Sequence, residues 1–200
     1  MKTSEFVFIV ISPPDILKSE TMHLLKMLDA GLQYFHIRKP GKSPEEIRKY
    51  ISGIDSRYHS RLILHQAFEL AAEFGVGGLH LNAKNSKAGF RRSFQPGVHR
   101  LSASFHSLSQ IKSSRRKYNY VFLSPAFDSI SKVGYLGKGL FPIPEWVLKK
   151  DMKVIALGGI TPERISLVKK SGYSGIGMLG FIWESADPVA QFRLAQEVIS

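Results

Sequence analysis

Cysteine is absent from this chain of 200 residues. Disulfide bonds and thiolate-bound metals are therefore excluded, and the composition suits a reducing cytoplasm, where we expect the protein to work. Long apolar runs are also missing, since none approaches the roughly 20 residues that span a bilayer. The apolar stretch Phe6–Ile11 is too short for a signal sequence and is expected to form a buried first strand.

Acidic residues are scarce: 16 Asp and Glu stand against 28 Lys and Arg, which gives a net charge of +12. Such an excess of positive charge can indicate binding to nucleic acids, anionic surfaces or anionic substrates. The basic residues are dispersed, however, and no base-stacking aromatic motif lies among them. We therefore expect neither nucleic acid nor a membrane as a partner, and interpret most of the charge as a solvated outer face.

Eight short apolar segments alternate with longer amphipathic ones. The predicted strands are Phe6–Ile11, Tyr34–Ile37, Leu62–Leu64, Gly78–Leu81, Arg100–Ala103, Tyr120–Leu123, Val154–Ala156 and Gly175–Met178. Alternation with helices predicts βαβ units and a parallel sheet. Eight such units favour a closed (β/α)8 TIM barrel that occupies residues 1–200 as a single domain.

Local signals support this arrangement. Ser43 to Glu46 reads as a capping box with Pro44 at the first helical position. The first strand is followed by Ser12-Pro13-Pro14 and not by a glycine-rich turn, which argues against a Rossmann fold. The fourth connection, Asn82–Val98, has only weak helical patterning.

Histidines concentrate near the ends of the predicted strands, where a barrel builds its active site. His106, just beyond the fifth strand, is the candidate proton shuttle, because imidazole titrates near neutrality. His80, between Leu79 and Leu81, is expected to fill the barrel interior with its ring nitrogens bonded to neighbours. A zinc site built from the histidines is an alternative, but their spacing follows no established ligand pattern.

Glycines follow the last two strands. Gly158 and Gly159 after the seventh strand, with Gly180 after the eighth, predict a phosphate cradle of backbone N–H groups. The alternative is that these glycines serve only tight turns. The long polar loop Ser124–Gly139 carries Lys132, which is placed to meet an anion, although a solvated surface loop is the other interpretation.

Five motifs, in this order, resemble those of one family: Ile37-Arg38, Leu70–Leu81, Ser104–Ser107, Tyr120–Lys132 and Val154–Ile160. The sequence resembles thiamine phosphate synthase and the related TenI thiazole tautomerases over most of its length. The resemblance implies a barrel that binds a thiazole phosphate, and a possible homodimer. It implies catalytic roles for His106 and Lys132. The implied substrate-binding residues are His36, Arg38, His65, Ser104, Ser129, Ser131, Gly158, Gly159 and Gly180.

Two departures from the family pattern affect the diphosphate half of the site. The magnesium-binding aspartates of the family fall on Gln66 and Asn85, which carry no charge, whereas hard divalent cations favour carboxylates. The family's lysine falls on Pro40, with Lys39 or Lys42 as substitutes. We therefore expect no metal and no cofactor, with magnesium needed only by a synthase.

Three functions follow from the resemblance. The leading hypothesis is a metal-independent, thiazole tautomerase-like enzyme of thiamine biosynthesis. The first alternative is thiamine phosphate synthase, which couples hydroxymethylpyrimidine diphosphate to thiazole phosphate and releases diphosphate. The second alternative is a non-catalytic binder of thiazole phosphate or thiamine phosphate.

Overall fold

Eight parallel strands close into a barrel in the order in which they occur in the chain. The structure, a computed structural model, describes residues 5–82, 98–128 and 139–200. The strands are β1 (Val7–Ile11), β2 (Tyr34–Ile37), β3 (Leu62–Leu64), β4 (Gly78–Leu81), β5 (Arg100–Phe105), β6 (Tyr120–Leu123), β7 (Lys153–Leu157) and β8 (Gly175–Met178). Parallel pairing of β1 with β8 closes the ring. The predicted TIM barrel and all eight predicted strands are confirmed.

Helices follow the strands and cover the outside of the barrel. Those described are α1 (Glu20–Asp29), α2 (Pro44–Ser52), α3 (Leu70–Phe74), α4 (Leu108–Ser113), α5 (Glu145–Leu148), α6 (Pro162–Lys170), α7 (Gly180–Trp183) and α8 (Pro188–Ile199). The capping box at Ser43 and Glu46 is confirmed. Within the described part of the chain, no helix is long and apolar enough to cross a membrane. The weakly patterned connection Asn82–Val98 falls almost wholly outside the described residues.

The barrel interior is divided into an apolar arc and a polar arc. Successive residues of a strand face opposite sides, so alternate residues point inward. Aliphatic and aromatic side chains fill one part of the interior and form a separate buried cluster: Val7, Ile9, Ile11, Tyr120, Phe122 and Ile155. The inward residues of β2, β4 and β5 are instead His36, His80 and Ser102, all buried. The polar arc therefore underlies the loops that follow β2 to β5.

A buried ion pair fixes the loop after β2. The Nζ of Lys39 donates to both carboxylate oxygens of Glu20, at 2.6 and 2.7 Å, and neither side chain is exposed. The hydroxyl of Tyr50 donates to the same carboxylate at 2.6 Å. Lys39 also donates to the carbonyls of Pro13 and Asp15, both at 2.9 Å. Of the two lysines expected as substitutes for the family's lysine, Lys39 is therefore the wrong one, because Glu20 and these carbonyls enclose its ammonium group.

The turn after β7 packs against the segment that follows β6. Gly158 and Gly159 have φ of +101° and +61°. The amide of Phe127 donates to the carbonyl of Gly158 at 3.1 Å. A Cβ at Gly159 would lie 2.2 Å from the carbonyl oxygen of Asp128. Both the backbone conformation and this close approach thus require glycine at 159. The tight-turn interpretation therefore holds there, whether or not this glycine also binds phosphate.

We expect Gly159→Ala to lower the free energy of unfolding more than Gly75→Ala. At Gly75, with φ of +64° and no atom within 4 Å of an added Cβ, alanine incurs only the left-handed backbone cost of about 1–2 kcal/mol. At Gly159 the contact with Asp128 adds a further ~1–3 kcal/mol. Urea unfolding of both variants measures the difference, and equal losses would contradict the close approach.

Lys39→Met should destabilise the protein by about 3–5 kcal/mol, because it leaves the Glu20 carboxylate buried without its cation. Lys42→Met is the matched control: its partner Glu46 is half exposed, and such pairs contribute at most about 1 kcal/mol. Urea unfolding at neutral pH compares the two. A Lys39→Met protein as stable as the control would contradict the structural role of Lys39.

Candidate active site

A cavity of about 1180 Å³ opens at the carboxyl ends of β2 to β5. Its polar lining includes Arg38, Lys42, His65, Gln66, Ser104 and His106. Four of the residues predicted for the site therefore line this cavity: Arg38, His65, Ser104 and His106. Lys42 was expected only as a substitute lysine, and it also lines the cavity.

Beneath this cavity, three histidine rings pack against one another inside the barrel. The Nδ1 of His36 and the Nε2 of His65 lie 2.9 Å apart and share a hydrogen bond. The rings of His65 and His80 stack with centroids 4.2 Å apart. His36 is completely buried and is absent from the cavity lining, although it was predicted to bind substrate. It contacts the site through His65.

Hydroxyl groups hold the cluster from the other side. The Nε2 of His36 lies 2.6 Å from the hydroxyl of Tyr120. Both ring nitrogens of His80 are bonded, Nδ1 to Ser102 and Nε2 to Ser104, each at 2.9 Å. The interior role expected for His80 is confirmed. Tyr120 was not singled out from the sequence, and only its inward position on β6, beside Ser102 of β5, could have indicated it.

Burial keeps these three rings neutral. Removal from water is the main cause that lowers the pKa of His36, His65 and His80, since it disfavours the charged imidazolium. The positive charge of Arg38 adds to this effect on His80, whose pKa falls to about 3. Neutral imidazoles have a lone pair on one nitrogen, so each ring can accept a hydrogen bond or bind a metal ion.

His106 occupies a different environment, because its side chain is exposed at the cavity mouth. Its Nδ1 lies 3.0 Å from the carbonyl oxygen of Ser124. A carbonyl only accepts, so Nδ1 carries the proton in the neutral ring and Nε2 is the basic nitrogen. The backbone N–H of His106 donates to Oε1 of Gln110 at 2.7 Å, which fixes the turn after β5. This geometry suits proton transfer at Nε2.

The glycine turns lie on the same rim but over the opposite arc of the barrel. β7 and β8 pair in parallel with Leu157 beside Gly177, so Gly158, Gly159 and Gly180 follow neighbouring strands. None of the three lines the cavity above β2 to β5. The carbonyl of Gly159 accepts a hydrogen bond from Arg164 at 2.5 Å. The site residues thus form two groups, one at the cavity and one at the glycine turns.

Several predicted residues lie outside the described part of the chain: Asn85, Ser129, Ser131 and Lys132. Gln66 is described, lines the cavity, and donates its amide to the carbonyl of Lys39. No carboxylate belongs to the cavity lining among the described residues. A magnesium ion therefore does not fit the donors found here, since it favours carboxylate oxygens.

The neutral histidine cluster predicts a loss of stability in mild acid. The unfolded chain binds protons near pH 6.5 while the native rings stay neutral, so stability is full above that pH and falls as pH drops. Each histidine contributes up to about 1.4 kcal/mol per pH unit. Urea unfolding between about pH 7.5 and 5.5 measures the slope. The slope is proportional to the number of protons taken up on unfolding, and His80→Asn should lower that number by one. An unchanged slope would contradict a neutral His80.

Comparison with known proteins places the chain in a family. The profile of the thiamine monophosphate synthase family matches residues 7–182. The thiamine-phosphate synthase of Prochlorococcus marinus is 24% identical over 192 residues, covering 94% of this chain and 54% of that protein. The putative thiamine-phosphate synthase 2 of Aquifex aeolicus is 27% identical over 172 residues, covering 80% of this chain and 88% of that protein. This chain thus spans about half the length of the Prochlorococcus relative.

Solved structures give the same result. The crystal structure of thiamine phosphate pyrophosphorylase from Bacteroides thetaiotaomicron superposes with a TM-score of 0.76 at 26% identity, covering 96% of both chains. The Pyrococcus furiosus pyrophosphorylase gives a TM-score of 0.81 at 16% identity, covering 98% of this chain and 96% of that one; this likeness shows the fold alone. The resemblance seen in the sequence motifs is confirmed, and the chain belongs to the thiamine monophosphate synthase family.

Proposed function

We propose that the protein is a thiamine phosphate synthase, which couples a pyrimidine methyl diphosphate to a thiazole phosphate and releases diphosphate. The size of the cavity carries this proposal. At about 1180 Å³ it exceeds the ~300–1,000 Å³ typical of a pocket for one small ligand. A tautomerase binds a single thiazole phosphate, whereas a synthase holds two ring-bearing substrates side by side. The relatives named above also carry the synthase name.

The cations on the cavity wall suit the departure of diphosphate. In the coupling, a bond forms between the thiazole nitrogen and the pyrimidine methylene carbon, while the bond from that carbon to the diphosphate oxygen breaks. The electron pair leaves with the diphosphate, so negative charge accumulates there. Arg38 and Lys42 line the same wall. Arginine binds phosphate oxygens in a bidentate manner, and fixed cations stabilise a developing anion.

The glycine turns suit the other substrate. Loops after the seventh and eighth strands are the usual phosphate site of this barrel, and backbone N–H groups bind phosphate without a metal. Gly158, Gly159 and Gly180 follow those strands. We assign the phosphate group of the thiazole substrate to this arc, with its ring reaching into the cavity above β2 to β5, where the pyrimidine diphosphate lies beside it. Ser129, Ser131 and Lys132 remain proposed contacts from the resemblance.

A thiazole tautomerase is the second candidate function. It is favoured by one observation: His106 lines the cavity, and its Nδ1 is bonded to the carbonyl of Ser124. This arrangement leaves Nε2 as the nitrogen that would move a proton on the thiazole. The lack of carboxylates among the described lining residues agrees with a reaction that needs no magnesium. Any divalent ion used by a synthase must find other donors.

A two-substrate assay separates the functions. We expect diphosphate release that requires both substrates, measured in the protein as purified and again with added magnesium. Arg38→Ala should lower kcat/KM by about 10²–10³-fold, because it removes stabilisation of the leaving group. Lys18→Ala, a change at an exposed cation outside the cavity lining, is the matched control and should retain activity.

Other results would replace the proposal. Isomerisation of a thiazole carboxylate phosphate without diphosphate release, reduced about 10²–10⁴-fold in His106→Ala, would establish the tautomerase. Binding of thiazole phosphate with no turnover in either assay would establish a binding protein. Arg38→Ala with unchanged diphosphate release would contradict the assignment of the leaving group to the cavity wall.

A further inference from the structure

We propose that His36, His65 and His80 bind a divalent transition metal, with Zn²⁺ the best fit, at the floor of the cavity. One ring nitrogen from each histidine lies within 4.8 Å of those of the other two. A tetrahedral zinc ion with Zn–N bonds of about 2.0–2.1 Å holds its ligand nitrogens roughly 3.4 Å apart. The nitrogens are thus within about 1.4 Å of the spacing that one zinc ion requires.

The ligand chemistry selects the kind of metal. Neutral imidazole suits zinc, copper, iron and nickel, whereas magnesium and calcium favour oxygen ligands. The histidines come from neighbouring positions, because β2 pairs with β3 and β3 with β4. Three adjacent strands thus position the ligands: His36 and His80 lie within β2 and β4, and His65 directly follows β3.

Hydrogen bonds orient His80 for this role. The hydroxyl of Ser102 donates to the carbonyl of Leu79 at 3.3 Å. Its oxygen therefore accepts the proton of His80 Nδ1, 2.9 Å away. The Nε2 of His80 is then the nitrogen with a lone pair. It accepts from the hydroxyl of Ser104, which an ion would displace. Partners of this kind commonly fix the tautomer of a metal-binding histidine.

His36 has a comparable support. The hydroxyl of Tyr120 lies beside Nε2 of His36, 2.6 Å away. When the tyrosine oxygen accepts from Nε2 of His36, the lone pair of Nδ1 points to the Nε2 of His65, 2.9 Å away. An ion would replace this shared hydrogen bond with two metal–nitrogen bonds, and the proton on Nε2 of His65 would move to Nδ1 of the same ring.

The fourth ligand position faces the cavity. Of the three histidines, only His65 belongs to its lining. Three neutral ligands leave the double charge of the ion uncompensated, and the guanidinium of Arg38 lines the same cavity as His65. An anionic fourth ligand is therefore favoured, either hydroxide or a phosphate oxygen. The site stands on the histidines alone and does not depend on which reaction the enzyme performs.

Metal binding to the untagged protein tests the inference directly. The protein is dialysed against a chelator and titrated with Co²⁺, which gives visible d–d absorption when bound in a tetrahedral nitrogen site, and then with competing Zn²⁺. We expect one ion per chain. His36→Gln and His65→Asn should abolish the tetrahedral spectrum. His23→Gln, a change on the outer helix α1, is the matched control and should leave it intact.

A second, milder variant keeps the inference testable if the histidine variants fail to fold. Ser102→Ala retains all three ligands but removes the partner of His80, and should weaken zinc binding about 10–100-fold. Circular dichroism verifies that each variant is folded. The inference is overturned if the wild-type protein takes up no stoichiometric ion, or if folded His36→Gln and His65→Asn keep the tetrahedral spectrum.

Inorganic diphosphate probes the open position. Added to the cobalt-loaded protein, it should shift the d–d bands by entering the fourth position, and the shift should weaken in Arg38→Ala. Cobalt bands that do not respond to diphosphate would overturn the assignment of that position to the cavity. This measurement needs no turnover, so its failure is distinguishable from failure of the synthase assay.

Discussion

The burial of three neutral histidines inside the barrel is the constraint on which the site depends. Polar rings in a closed sheet must find hydrogen-bond partners or destabilise the fold. Here His36, His65 and His80 bond to one another, to Tyr120 and to two serines of β5. This network takes the place of the apolar side chains that fill the other side of the barrel. It places histidine ring nitrogens directly below the cavity.

The asymmetry of the barrel interior divides the rim into two functional arcs. The polar arc, at β2 to β5, supports a cavity whose wall carries Arg38 and Lys42. The apolar arc supports the glycine turns after β7 and β8. Under the proposed synthase function, the two arcs would bind the phosphate groups of the two substrates at different places on one rim. Lys39, although adjacent to Arg38, serves the fold through its ion pair with Glu20.

The departures from the family pattern acquire a physical meaning in this context. Gln66 removes a carboxylate where the family resemblance implies magnesium, and the described cavity lining offers none in its place. The chain presents histidine nitrogens nearby instead. A change of donor from oxygen to nitrogen alters which metal is favoured, so loss of the aspartates does not exclude metal binding. The tautomerase favoured from the sequence alone rested on treating that loss as decisive.

The sequence by itself determined the strands, the closed barrel and the family, because these depend on local hydrophobic patterning, capping residues and motif order. It also indicated Arg38, His65, Ser104 and His106, since each lies at the carboxyl end of a strand or directly after it. Tertiary structure decided which side chains meet. Only strand pairing brings residues 36, 65 and 80 together, and only packing shows that Glu20 encloses Lys39 while Lys42 faces the cavity. Contacts between residues so distant in sequence leave no local signal, because they arise from closure of the sheet.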